Sequence, residues 1–548
     1  AIKNENIEKI IDTNQKSKEF IFKKIIEPEE KRLKEEKEVK LKKIEEEQNK
    51  ELEKVYKKYN AQNDYQKKIV KLLNMFEVPY EKIEFSNLDN LITIHKIKSS
   101  EFSFPLEKIE FYNINKDYLE PWFEFTDKFY WIKNTAEISD LPIFEYKGKF
   151  FDEMKVLGFK TNFIEGGFEN LKIDEFSISN FDIKEFENIK KILNSDNLGN
   201  FEENLLSLIL SIKFDKIAFN GLSFENYMWA PFGRFTSTYD SLPNYKFDNF
   251  EISGWDQFSF RNILSENLYI EHGTETFSLD EINIDDFKLD KNYLYNLLDQ
   301  KDSQNLILSG NYSEIFNGFN SLGLLQMKNL NTSFEDDLYE DDNLISFESV
   351  KLSNLKFEYF GKNKNIKVPT NLELAIKGSN YNYLRGGYGT TFSDIMVFDL
   401  GYNPVKFDFA TGWKWNTTAN DISFNLDLDI INAASLALKT NLVDLDTNIL
   451  TLQDTPLLTY LMTTPKLKKF SLSITDSSFR DKFMKYAAKE QGMTPDQLKD
   501  FIIQSIDIYS GTLGIDQGLV KEFLNSTSNF INGNNKIILS VKPPNPVS

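Results

Sequence analysis

Cysteine is absent from this sequence, and histidine occurs only twice in 548 residues. Without cysteine the chain can form no disulfide, thiol nucleophile or thiolate metal site. The absence is typical of bacterial envelope proteins, in which stray thiols would be oxidised, although AT-rich genomes also avoid cysteine. The abundance of Asn, Lys, Ile and Phe fits such a genome. These shortages leave few residues from which a catalytic centre could be built.

Long apolar runs and basic patches are missing as well. No stretch of about 18 consecutive apolar residues exists, so the sequence predicts no transmembrane span. The net charge is −20, and no cluster of Lys and Arg alternates with aromatic residues, which argues against nucleic acid as a partner. The chain begins with Ala1, which we interpret as the first residue left after removal of a signal peptide.

Aromatic residues, in contrast, are abundant, with 48 Phe and 24 Tyr, and many of them recur at fixed spacing. The clearest stretch reads apolar-x-x-apolar-x-apolar-x-(Asn, Gly or Asp)-apolar. Its copies begin at Tyr80, Leu106, Ile173, Phe214, Phe247, Leu279 and Phe347, and a fragment begins at Leu467. The small polar residues at the eighth position are Asn87, Asn113, Asn180, Gly221, Gly254, Asp286 and Asn354.

This spacing predicts bent β-strands. Alternation of β-branched and aromatic residues is typical of a strand with one buried face. Asn, Gly and Asp tolerate positive φ, so the eighth position predicts a bend or bulge in each strand. Regularly spaced units of this kind indicate an array whose members bury their apolar faces against one another.

The chain is therefore expected to be α+β and mainly β. We predict elongated antiparallel β-sheet repeats with short interspersed helices, a long N-terminal helix and a C-terminal helical hairpin. The predicted regions are 1–76, charged and helical; 77–365, the repeats; 366–465, a β-meander; and 466–548, an α/β region with the hairpin. Short helices are predicted over 184–194, 202–212 and 291–300, and strands of the meander over 372–376 and 394–400.

The N-terminal region is rich in Lys and Glu and carries a thin apolar stripe. Leu33, Ile44 and Val55 recur every 11 residues, as do Leu41 and Leu52. This period keeps a stripe aligned along a straight or slightly right-handed helix. We predict a long helix that is largely solvated or lies along the sheet, with an oligomeric coiled coil as the alternative.

Candidate reactive residues are few. His95 lies in an alternating strand and His272 near a turn, and isolated histidines serve more commonly as surface or hydrogen-bonding residues than as bases. No Gly-x-Ser-x-Gly motif is present, so the sequence offers no serine nucleophile of that kind. We predict no catalytic residue, no cofactor-binding residue and no cofactor.

Three segments leave alternatives open. The acidic segment from Glu335 to Asp342 suits Ca²⁺, but its spacing is not that of an EF-hand, and a solvated loop is the simpler interpretation; a metal site is left unknown. The Gly-rich segment 385–391 lacks the Lys of a phosphate loop and is interpreted as a turn or bulge. The aromatic segment 227–235 is interpreted as a packed connection, with an apolar or sugar-binding surface as the alternative.

The C-terminal part also carries a family resemblance. The residues that carry it are Met396–Phe409, Trp415, Phe470–Ile474, Phe479–Phe483, Ala487–Ala488, Gln491–Pro495 and Leu539–Pro544. Over about residues 390–548 the chain resembles uncharacterised alphaproteobacterial envelope proteins with a signal sequence or N-terminal anchor and a β-rich body. It is more distantly similar to a domain-of-unknown-function family of periplasmic proteins of enteric bacteria. The resemblance implies an envelope location and brings no catalytic residue.

We therefore expect a non-enzymatic protein in the periplasm or at the surface of a Gram-negative bacterium. Its expected function is that of a structural scaffold or a binder of lipid or another hydrophobic ligand. The lipid hypothesis rests on analogy in fold style with AsmA-like and TULIP-type proteins, whose curved sheets have an apolar concave face. A self-assembling surface or filament subunit is the alternative, with envelope proteins or a second copy contacting the N-terminal helix. A carboxylate hydrolase has the weakest support.

Overall fold

The structure is a computed structural model, and it describes most of the chain. The described residues are 23–24, 27–86, 90–97, 106–130, 148–164, 168–184, 210–225, 242–272, 275–293, 318–334, 343–360, 366–381, 395–444, 465–512 and 519–546. Its helices are α1 (Glu27–Lys58), α2 (Asp64–Met75), α3 (Lys116–Phe129), a π-helix (Ile395–Asp399), α4 (Phe479–Glu490), α5 (Pro495–Thr512) and α6 (Leu519–Ile531).

The strands of the described residues form one sheet. They are β1 (Lys82–Phe85), β2 (Leu91–Ile97), β3 (Leu106–Tyr112), β4 (Gly148–Lys149), β5 (Glu153–Ile164), β6 (Phe168–Ser179), β7 (Asp182–Ile183), β8 (Ile212–Glu225), β9 (Asn244–Asp256), β10 (Ser259–His272), β11 (Glu275–Leu289), β12 (Phe319–Phe334), β13 (Asn343–Phe360), β14 (Ile366–Tyr381), β15 (Val405–Asn416), β16 (Asp421–Ile430), β17 (Ala434–Val443), β18 (Lys466–Asp476) and β19 (Lys536–Val541).

The strands pair in the order in which they occur along the chain. Each neighbouring pair from β1 to β19 is antiparallel, and only the two-residue strands β4 and β7 stand aside, as short extensions next to β5 and β6. Within the described residues, β1 pairs with β2 alone and β19 with β18 alone. The prediction of a mainly β chain whose apolar ribbons pair side by side in an antiparallel sheet is confirmed.

The small polar residue of the repeated spacing has positive φ wherever the structure describes it. Asn113, Asn180, Gly221, Asp286 and Asn354 have φ between 51° and 61°. Gly254, in the copy that defines the spacing, has φ 66°. The positive φ on which the predicted bend rests is thereby confirmed, in a region of conformation that is favourable only for Gly and tolerated by Asn and Asp. Asn87 lies outside the described residues.

These residues and their cross-strand neighbours form two lines across the sheet, which we call crease A and crease B. Crease A follows Glu81, Lys96, Glu107, Gly158, Asp174, Gly221, Asp248, Asn267, Asp280, Asn329, Glu348, Gly378 and Asp408 on consecutive strands. An acid alternates with a residue of positive φ along this line, the latter having φ from 51° to 68°. Crease B follows Asn113, Asp152, Asn180, Asp215, Gly254, Arg261, Asp286, Gly323 and Asn354.

The acids of the creases hold the positive-φ residues beside them. The Asn267 amide donates to Asp248 at 2.8 Å, and Asn329 donates to Asp280 at 2.8 Å. In crease B, Asn113 donates to Asp152 at 2.6 Å. Where glycine replaces asparagine, the acid side chain covers the glycine, as Asp174 covers Gly221. Each crease is thus a row of strained residues with a charged or close-packed partner on the neighbouring strand.

The creases bring apolar residues three positions apart to the same face. In a regular strand such residues point to opposite faces. Here Leu279 and Ile282, on either side of crease A, pack in one cluster, and Phe214 and Ile217, on either side of crease B, pack in another. The two residues between each such pair lie on the opposite face, and the neighbouring strand stays in register, so we infer that the sheet bends along each crease without a bulge.

Helices α2 and α3 lie at the N-terminal end of the sheet. Asn63 caps α2 by accepting a hydrogen bond from Gln66 N at 2.8 Å, and Asn115 caps α3 through Asp117 N at 3.0 Å. Both helices have one apolar side, which packs with Ile83, Ile92 and Ile94 in a shared core. Of the stripe on α1, Val55 packs against this core and Leu52 is buried, at 6% exposure.

The C-terminal helices lie between β18 and β19. Helix α5 begins with reciprocal hydrogen bonds between Thr494 and Gln497, a capping box. Arg480 of α4 donates to the carbonyl oxygens of Phe530 and Asn534 at 3.0 and 3.1 Å, which ties the end of α6 to the start of α4.

One strand prediction is wrong. Residues 395–399, within the predicted strand 394–400, form a π-helix, closed by a hydrogen bond of 2.9 Å from Leu400 N to the Ile395 carbonyl. A short continuous apolar run has no periodicity that separates a strand from a buried helical turn. Met396 and Leu400 are buried with Tyr402 and Ala433, so tertiary packing decided the conformation. Most of the short helices predicted over 184–194, 202–212 and 291–300 lies outside the described residues.

Replacing Gly221 with alanine should destabilise the protein more than the same change at Gly492. Both glycines have positive φ, 61° and 65°, which costs an alanine about 1–2 kcal/mol. A Cβ at Gly221 would lie 2.2 Å from Asp174 Oδ2 and 2.9 Å from its Cβ, whereas a Cβ at Gly492 would meet nothing within 4 Å. Chemical denaturation measures both losses; equal losses would show that the acid at the crease is not held against the glycine.

Candidate functional site

Two apolar rows run across the whole sheet between the creases, and we call them the floor rows. Cross-strand partners directly opposite each other share a face, so each row can be followed through the register. The first is Phe85, Ile92, Phe111, Met154, Ile178, Ile217, Ile252, Ile263, Ile284, Leu325, Leu352, Leu374, Thr411, Leu426, Leu438, Leu472 and Leu539. The second is Ile83, Ile94, Ile109, Val156, Phe176, Phe219, Phe250, Ser265, Ile282, Met327, Val350, Ile376, Phe409, Leu428, Leu436, Ile474 and Ile537.

Only Thr411 and Ser265 interrupt the floor rows with a polar side chain. The row between them, on the opposite face of the sheet, contains Glu84, Glu110, Lys155, Glu251, Asn283, Gln326, Lys351 and Asp427, and its only large apolar residues are Leu264 and Ile538. One face of the sheet is therefore apolar from edge to edge. At a strand spacing of about 4.8 Å, seventeen strands make these rows roughly 75 Å long.

Two further apolar rows lie outside the creases, and we call them the wall rows. Beside crease A the wall row is Phe159, Ile173, Leu222, Phe247, Leu268, Leu279, Leu330 and Phe347. Beside crease B it is Phe214, Trp255, Phe260, Phe287, Leu322 and Leu355. Floor and walls together form an apolar trough, bent along its two creases.

The trough differs in burial along its length. At its N-terminal end Ile92 and Ile94 are 2% and 5% exposed, because α2 and α3 pack over them. From β8 to β18 the apolar floor residues, such as Ile217, Ile284 and Leu438, all retain partial exposure. In the described part of the chain, the floor is a closed core at one end and a partly exposed apolar surface over most of its length.

A cavity of about 560 Å³ lies where α2 and α3 cover the floor. The floor contributes Ile94, Phe111, Met154 and Ile178 among others, and the helices contribute Ile69, Leu72, Leu73, Tyr118 and Leu119. No charged residue lines it. The volume falls within the roughly 300–1,000 Å³ of small-molecule sites, and the lining can offer contact only to apolar groups.

Polar contacts on the outer sides of α2 and α3 hold the two helices together over this cavity. Lys71 donates to Asp127 at 2.5 Å, Lys68 lies 3.3 Å from Glu120, and Asn74 donates to the Tyr130 hydroxyl at 2.5 Å. Burial raises the pKa of Tyr118, which keeps its hydroxyl neutral. The cavity therefore has a polar clamp outside and an uncharged lining inside.

The two histidines are not brought together. His95 lies on β2, where its Nε2 is 3.0 Å from Glu84 Oε2. The pKa of Glu84 is lowered most by a hydrogen bond from Lys82 and further by one from His95. His272 ends β10 and is 2% exposed. They lie on strands that are not neighbours, so the described residues contain no histidine pair.

The other segments singled out in the sequence lie outside the described residues; these are 335–342, 385–391 and 227–235. Within the described part of the chain no three His, Asp or Glu side chains are grouped as metal ligands. A buried ion pair joins Lys367 to Asp290 at 2.6 Å, and Lys367 also donates to Asn320, which ties β14 to the ends of β11 and β12. None of the described helices is both long and apolar enough to cross a bilayer.

Sequence reasoning found the apolar positions but missed the acids. The four apolar positions of the repeated spacing correspond to one wall row, two floor rows and the other wall row. The second position of every full copy is acidic: Glu81, Glu107, Asp174, Asp215, Asp248, Asp280 and Glu348. This regularity is visible in the sequence. The role of each acid is not, because the acid contacts a residue of positive φ on another strand.

Comparisons with known proteins add little to the site. A family described only as an uncharacterized protein matches residues 427–548, from within β16 onwards. No curated protein matches the chain, and no solved structure matches it. The match covers most of the uncreased strands and the C-terminal helices and does not extend to the creased strands.

Truncating the floor should cost much more stability at its covered end than in its middle. Ile94→Ala removes a side chain that is 5% exposed and should cost about 2–5 kcal/mol. Ile284→Ala removes the same atoms from a partly exposed position and should cost clearly less. Denaturant titration of both variants checks this. Equal losses would mean that the middle of the floor is an ordinary buried core.

Proposed function

We propose that this protein is a non-enzymatic bacterial envelope protein whose trough holds the acyl chains of lipids or a similar elongated apolar ligand. The observation that carries the proposal is the continuity of the floor rows, which remain apolar across all seventeen strands except at Ser265 and Thr411. A ligand with a long hydrocarbon part matches such a surface, because it offers no specific polar contact and needs none.

A purely structural role explains the trough less well. A sheet with an apolar face normally buries it against a second layer. Here α2 and α3 cover the N-terminal end, while the floor from β8 to β18 keeps partial exposure. Contiguous exposed apolar surfaces larger than a few hundred Å² are typical of interaction or ligand sites rather than of ordinary surfaces.

The energetics favour lipid as the ligand. Burying methylene groups from water gains about 0.8 kcal/mol each, so a chain of about fourteen gains roughly 11 kcal/mol before its ordering cost. The interior of a bilayer is as apolar as the trough, so moving a lipid between the two is far closer to neutral. The length of the floor is about five times the ~15 Å spanned by one leaflet of the hydrocarbon core. A surface of this kind suits passage of lipid as well as storage.

Placing a charge in the middle of the floor should remove the lipid that lies there. Leu325→Lys puts an ammonium group in the middle of the first floor row, where an acyl chain cannot solvate it. Native mass spectrometry of the purified protein, and titration with a fluorescent fatty acid, should show fewer lipid molecules bound per chain than in the unmodified protein.

Gln326→Lys is the matched control, because it places the same charge one residue away on the opposite face of β12. It should bind as the unmodified protein does. Absence of any bound lipid in the unmodified protein, or equal binding by both variants, would refute the proposal.

Self-assembly is the second candidate, and one observation on α1 favours it. Leu33 and Ile44 lie on the 11-residue stripe and are 54% and 49% exposed. Farther along the same stripe Val55 packs into the core. The exposed part of the stripe is thus a continuation of a packed one, and a second copy or another envelope protein could cover it.

Changing both Leu33 and Ile44 to glutamate should lower the oligomeric state if α1 drives assembly, because charges replace the apolar stripe. Val39→Glu is the control, since Val39 is 67% exposed but lies off the stripe. Light scattering coupled to size exclusion measures the mass. If the unmodified protein and both variants have the mass of one chain, α1 does not mediate assembly.

A further inference from the structure

We propose that the trough is closed at its N-terminal end and that the cavity under α2 and α3 receives the terminal methyl end of an alkyl chain, with the polar end of the ligand directed towards β8 and the strands beyond. This inference rests on the proposed function and adds the ligand's orientation and class.

The cavity is a continuation of the floor. Phe111, Met154 and Ile178 belong to the first floor row and also line the cavity. On the side facing the rest of the trough the last lining residue is Ile212, where β8 begins. An alkyl chain that lies on the floor can therefore run from the accessible part into the cavity without leaving an apolar surface.

The far end of the cavity is blocked. At that end Ile92, which lines the cavity, packs in a core with Val70 and Ile83, and these three side chains are at most 5% exposed. The clamp formed by Lys71, Asp127 and the neighbouring pairs holds α2 against α3 over this core. An alkyl chain that lies on the floor reaches the cavity from the side of β8, so the end that enters first stops at this core.

The lining selects which end enters. No charged residue lines the cavity, so a carboxylate or phosphate inside it would be unsolvated, which is strongly unfavourable. A methyl terminus needs no hydrogen bond there. It fills an apolar space that water does not occupy. Ile69 and Leu72 of α2 form the roof of the cavity.

Two photoreactive fatty acids test the orientation on the full-length protein. One carries a diazirine at its terminal carbon, and the other carries it beside the carboxyl group. After irradiation and digestion, mass spectrometry should find the terminal-carbon probe on Leu72, Leu73 or Tyr118. The carboxyl-side probe should be found on β8 and later strands, with at least a fivefold difference in distribution between the two probes.

A cavity-filling variant provides the second measurement. Met154→Trp adds an indole inside the cavity, and the terminal-carbon probe should then move to β8 and beyond while total labelling persists. Lys155→Trp, on the opposite face of β5, is the matched control and should leave the labelling pattern unchanged.

The outcomes separate the two proposals. Similar distributions for the two probes, or a carboxyl-side probe inside the cavity, would overturn the closed-end orientation while leaving lipid binding intact. No labelling by either probe would overturn lipid binding itself, and the orientation with it. Labelling of the cavity that survives Met154→Trp unchanged would also contradict the inference.

Discussion

The architecture depends on one repeated local constraint, a residue of positive φ set beside an acid on the neighbouring strand, with Arg261 and Gly323 in place of the acid in part of crease B. Neither residue type would be stable in such a row without the other. The left-handed conformation is unfavourable for most residues, and a row of carboxylates across a sheet would repel itself if nothing separated its members. Alternating Asn or Gly with Asp or Glu, as Asn329 alternates with Asp280, satisfies both and repeats from strand to strand. Part of the net charge of −20 is therefore structural.

The creases bend the sheet into a trough. In the proposed function, this shape makes the apolar face a binding surface. A flat face of this size would be expected to recruit a second layer or to aggregate. Bending along two lines places wall rows beside floor rows, so that Phe214 and Trp255 pack against Ile217 and Ile252. The apolar side chains thus pack against one another at the margins of the trough. Those along its middle stay partly exposed. The N-terminal helices then close one end.

The proposed function would require few reactive residues. Holding hydrocarbon requires area, continuity and the absence of charge, and none of these depends on a precisely placed catalytic group. The buried ion pair of Lys367 and Asp290 and the contacts of Arg480 serve to join elements. The paucity of histidine and the absence of cysteine are compatible with a surface that acts through shape alone.

The sequence by itself determined the strands and their bends. The spacing of residues such as Phe250, Ile252 and Gly254 encodes both the alternation and the site of positive φ, because each depends only on a residue and its immediate neighbours. The same locality explains the failure at 395–399, where an apolar run carried no period and packing chose a π-helix. Only the tertiary structure decided that the acids line up, that four apolar positions become floor and walls, and that α2 and α3 close the trough over a cavity. These features join residues on different strands, and no local pattern specifies which strand becomes the neighbour of which.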